Sequence, residues 1–109
     1  MSTTKEALAR RTRQFRRVEL PGGAVVHVRD ISLGELRAID LRAEEIPEGP
    51  DRNLRRIELL CLYALADEDG APTFAERTDA QLVEMADLTP AEMEAITAAA
   101  VPDKEAAKN

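Results

Sequence analysis

The run Asp67-Glu68-Asp69, followed by Gly70, gathers the most ligating side chains in this sequence. Alternating carboxylates ahead of a glycine can open a calcium loop, which surrounds a hard cation with oxygen ligands over twelve residues and closes on a Glu. Asp67 and Asp69 supply the first alternation. No third acid follows at the next alternate site, and Pro72 and Phe74 stand where ligands or backbone freedom are needed. The spacing therefore predicts a corner, with a helix ending near Ala66, the acids in water and Gly70 in a left-handed or turn conformation.

The remaining reactive side chains are isolated. His27 is the only histidine, which rules out a zinc finger, and its place on the polar face of a strand offers it no partner for acid–base work. Cys61 is the only cysteine, so no internal disulfide forms. Without CxxC spacing it reads as a small core residue. Gly22-Gly23 is a turn and belongs to neither a P-loop nor a dinucleotide fingerprint. No serine or cysteine has a recognisable base near it in sequence. The expectation is a protein that is not an enzyme, with no metal and no cofactor.

A chain of 109 residues makes one domain, able to bury roughly 65% of its unfolded surface. With aromatic residues at only 3%, the core must be aliphatic. The net charge of −6 is unevenly spread. Residues 1–29 hold seven basic and two acidic side chains (+5), whereas residues 30–109 hold eight and nineteen (−11). Arg10, Arg11, Arg13, Arg16 and Arg17 form the one basic cluster, and an alternative reading makes the chain a small nucleic-acid-associated regulator. Against it, the last two expected helices carry Asp79, Glu84, Asp87, Glu92 and Glu94 with no Lys or Arg, so phosphates would be repelled. No apolar run approaches the ~20 residues that span a bilayer. Residues 1–17 lack the apolar core of a signal peptide, and a cytosolic setting is expected.

The elements follow from pattern. Residues 1–14 are expected to be a flexible basic arm. Residues 15–30 alternate apolar and polar side chains around Pro21-Gly22-Gly23 and predict a β-hairpin. Ser32 and Glu35 have capping-box spacing, with Ile31 and Leu36 as a hydrophobic staple, and open a helix over about 33–45. Its buried stripe is Leu36, Ile39, Ala43 and Ile46. Asp51 is placed to cap a central helix over about 52–66, apolar nearly all round from Ile57 onward. Thr78 with Gln81, and Thr89 with Glu92 beside Pro90, open short helices over about 79–87 and 90–100. Residues 102–109 have nothing to bury and should be a flexible tail. The fold class is α+β, mainly α: one single domain over 15–101.

The succession "VELPGGAVVHVRDISLGEL", "LRRIELLCLYALADEDGAPTF" and "DAQLVEMADLTPAEMEAI", covering residues 18–101, resembles the tail assembly chaperones of long-tailed bacteriophages and prophages. The resemblance implies a protein that binds the long, helical tape measure protein in the cytoplasm of the bacterial host. It would keep that protein soluble until tail-tube subunits polymerise, and be absent from the mature virion. It also implies self-association and, in many such genes, a longer product made by ribosomal frameshifting. The closing Lys108-Asn109 permits a slippery codon run. The basic arm has no counterpart in the family's pattern. The apolar helical surface exceeds what one small core obviously covers, and Leu59, Leu62, Leu82, Met85 and Met93 are the expected partner-binding residues.

Overall fold

A computed structural model of the chain describes Thr4 and residues 15–101. Apart from Thr4, the expected arm and tail lie outside these residues. Within them the order is β1 (Phe15–Glu19), β2 (Val25–Arg29), α1 (Leu33–Ala43), α2 (Pro50–Ala64), β3 (Leu65–Ala66), α3 (Asp79–Glu84) and α4 (Pro90–Ala100). The architecture is α+β and mainly α, as the pattern predicts.

The hairpin forms where the alternation places it. β1 pairs antiparallel with β2 in a register that sets Arg16 opposite Val28 and Val18 opposite Val26. The turn closes through the Leu20 amide donating to the Ala24 carbonyl at 2.7 Å, with Gly23 at φ +92°. Val18, Val26 and Val28 face the helices, while Phe15, Arg17 and His27 lie on the other face. Two strands are marginal in water, and the sheet gains a third from an unexpected source. The central helix stops at Ala64, two residues early, and Leu65 turns to φ −63°, ψ 134°. Leu65 and Ala66 then pair antiparallel with Val28 and His27.

All three capping boxes form. The Ser32, Thr78 and Thr89 hydroxyls accept the amides of Glu35, Gln81 and Glu92, whose side chains accept the cap amides in return. Two helices are shorter than expected. Beyond Ala43 the amides of Glu45 and Ile46 reach back only three residues, and beyond Glu84 those of Met85, Ala86 and Leu88 do the same. Such bonds tighten a last turn and satisfy its carbonyls. The start of α2 corrects the sequence expectation: its cap is Gly49 at φ +146°, not Asp51. Pro50 takes the first helical position, where its missing N–H is no loss, and Asp51 sits in the first turn, where the helix dipole favours an acid.

The core lies where α2 crosses the other elements. Leu59 through Leu65 are buried without a break, joined by Val28, Ile39 and Ile96, each at 0% exposure. No helix among the described residues is long and apolar enough to cross a membrane.

Candidate interaction surface

The acidic corner is a tight turn that uses the carboxylates of Asp67 and Asp69 locally. The Asp67 amide donates to the Ala71 carbonyl at 2.8 Å and the Gly70 amide to the Asp67 carbonyl at 2.9 Å, with Gly70 at φ +88°. Asp67 Oδ1 accepts the Thr73 hydroxyl, and Asp69 Oδ1 accepts the Ala71 amide, both at 3.0 Å. Pro72 continues the ladder opposite Ala66. The helix-to-corner reading thus becomes a strand-to-turn one, with the left-handed glycine where it was expected. No group of three or more potential metal ligands gathers among the described residues.

Cys61 is fully buried and belongs to the joint between α2 and α4. Its Sγ lies 3.5 Å from the Met93 carbonyl, to which it donates, and 3.8 Å from the Thr97 hydroxyl. Burial pushes the thiol up to about 11, against the pull of the Thr97 hydrogen bond, and the charge of Glu58 adds to the rise. His27 lies beside Phe15, ring centroids 6.2 Å apart. Of the basic cluster, Arg16 is engaged with Asp30 at 2.7 Å and with the Ala99 carbonyl. Arg17 is exposed, and Arg10, Arg11 and Arg13 lie outside the described residues.

A polar seam joins α1, α2 and the segment before α3. Arg42 donates to the Arg77 carbonyl at 2.8 Å and pairs with Asp79 at 3.0 Å. Arg77 pairs with Glu35 at 2.8 Å and places its guanidinium 4.5 Å from the Tyr63 ring centre. Burial works against the charge on Arg42. Hydrogen bonding and the field of Tyr63 and Asp79 more than offset it, holding Arg42 above its ordinary value. These contacts fasten elements together.

The expected partner residues divide. Leu59 and Leu62 are each 1% exposed, and Leu82 and Met85 each 7%. All four are core, which corrects the expectation: α1, α3 and α4 pack on α2, and Leu82 and Met85 join Leu59 and Leu62 in the same buried cluster. Met93 is half-buried and lines an open groove of about 510 Å³ between α2 and α4. The other walls are Leu54, Ile57, Pro90, Glu94, Thr97 and Ala98. Leu54 is 48% exposed and Ile57 36%. Sequence reasoning passed over Leu54 because it stands among Arg52, Arg55 and Arg56. Its signal is the three-residue step to Ile57, which extends an apolar stripe one turn beyond the core.

A second concavity of about 1160 Å³ opens beside the sheet. Val25, Val26 and His27 of β2 form one side, and the Asp67–Asp69 turn and Phe74 the other.

The chain matches no protein-family model, no curated protein and no solved structure.

Proposed function

We propose that the chain is a tail-assembly chaperone that holds one apolar face of a tape measure helix in the groove between α2 and α4. The observation that carries this reading is the exposure of Leu54 and Ile57 beside Met93, in a groove walled almost wholly by apolar side chains. An amphipathic helix presents anchors at three- and four-residue spacing, which suits a trough between two helices. Glu94 at the rim favours a partner with a basic residue flanking its apolar face. Residues 15–101 hold nine basic and eighteen acidic side chains, a balance of −9. A complex clad in that charge repels its own copies while the tape measure's apolar stripes are covered. The small groove makes a modest interface, consistent with release once tail-tube subunits assemble. The reading places the protein in the host cytoplasm and outside the finished tail.

Co-expression with the tape measure protein of the same gene cluster tests it. The wild-type chain is expected to give a soluble complex that co-purifies. The double variant Leu54→Gln/Met93→Gln should lose the complex while its melting temperature stays within a few degrees. Failure of the wild-type pair to co-purify, or full retention by the variant, would overturn the groove assignment.

A further inference from the structure

The cleft beside the sheet has an open strand edge, apolar walls and an acidic lip. β3 covers only His27 and Val28, so Val25 and Val26, paired with β1 on one side, run on past the end of β3 with no strand on the other side among the described residues. Leu65 and Phe74 supply apolar wall, and Asp67, Glu68 and Asp69 stand exposed on the far side. Among the described residues of the lining, Arg17 is the one arginine or lysine, set against three acids. An extended segment with several positive charges suits such a cleft.

This chain carries one. Arg10, Arg11 and Arg13 precede β1, which lends Arg17 to the cleft. The Phe15 ring crosses the outer face of the sheet to lie against Gly70, in the same turn as the three acids. Only Gln14 separates Phe15 from Arg13. Measured along an extended chain, Arg10 is at most about 17 Å from Phe15, at ~3.4 Å per residue. The three arginines are therefore tethered within reach of the turn. We infer that the segment Arg10–Gln14 docks in the cleft of its own chain, its arginines on the Asp67–Asp69 lip and its backbone along Val25 and Val26. Exposed ion pairs are individually weak. The tether compensates, since a short linker holds its segment at an effective concentration on the order of millimolar or above. A second copy of the chain would have to reach that concentration in free solution to compete.

The test compares backbone amide NMR spectra of the full chain with those of a full-chain Arg10→Gln/Arg11→Gln/Arg13→Gln variant, in low salt and in about 0.5 M salt. In low salt the Val25, Val26, Glu68 and Asp69 amides should differ between the two proteins. The difference should shrink severalfold in high salt and stay constant on about tenfold dilution, as the cis tether requires. A Glu68→Gln variant should move the Arg10–Arg13 amides in turn. Cleft amides that coincide in the two proteins would overturn the proposal, as would differences confined to other surfaces. A difference that fades on dilution would assign the segment to a second copy and overturn docking in cis. Tape measure binding does not enter these readouts, so their result is separate from that of the groove.

Discussion

The Phe15 ring and the Gly70 backbone are in such close contact that a Cβ built on Gly70 would lie 2.7 Å from the ring's Cδ1 and Cε1. Gly70 also holds φ +88°, a left-handed conformation that costs an L-residue about 1–2 kcal/mol. Two independent reasons thus require glycine at the corner, one conformational and one steric. Gly70→Ala should therefore destabilise the fold by about 1–2 kcal/mol or slightly more. In a Phe15→Ala background the cost should fall without vanishing, because the ring clash is relieved and the backbone strain is not. A denaturant-melt double-mutant cycle reads this directly. No cost in the wild-type background would remove the argument.

Arg77 gives an inverted glycine–alanine order. It is a non-glycine residue at φ +54°, held there by Glu35 and the Tyr63 ring. Arg77→Ala loses both contacts and keeps the strain, whereas Arg77→Gly loses both and releases it. The alanine variant should be the less stable by about 1 kcal/mol, the reverse of the usual preference for alanine. Equal stabilities in thermal melts would mean that the strain is absent.

Cys61 should make stability depend on pH in the alkaline range. Burial raises the folded thiol to about 11 from an ordinary 9.0. Between those values the folded state retains a proton that the unfolded state has lost. Stability is therefore fully present below pH 9 and falls as pH climbs towards 11. The part due to Cys61 is about 2–3 kcal/mol at ~1.4 kcal/mol per pH unit. Cys61→Ala should flatten that limb relative to wild type, although it costs stability at neutral pH. Parallel limbs in the two proteins would exclude the thiol as the cause.

Core and groove should separate in mutation. Leu62 is 1% exposed, and Leu62→Ala should cost about 2–5 kcal/mol through lost burial and a residual cavity. Leu54 is nearly half exposed, and Leu54→Ala should cost less than about 1 kcal/mol. Urea melts of the two variants measure the contrast, and similar losses would mean that Leu54 is structurally engaged.

Helix starts were legible because they are local. Ser32, Thr78 and Thr89 each stand three residues before a Glu or Gln, and that spacing is sufficient for reciprocal hydrogen bonds within one turn. The hairpin and the left-handed Gly70 were equally readable, since turn chemistry acts over four or five residues. Gly49 was hidden because Asp51, two residues on, is the commoner type of cap, and only the backbone shows Pro50 as the first helical residue. The candidate site was barely legible. Leu54 and Leu59 are the same residue type on one helix, and their opposite fates depend on which segments pack over them.

By itself, the amino-acid order determined where turns tighten, where helices are capped, and that the interior must be aliphatic. These are properties of a few neighbouring residues or of bulk composition. Only the tertiary structure decided that Leu65 and Ala66 leave a helix to become a strand, for the open edge they complete belongs to β2, some forty residues earlier. It alone decided which apolar side chains face water. Burial depends on the segments brought against a surface from afar, and no local spacing encodes them.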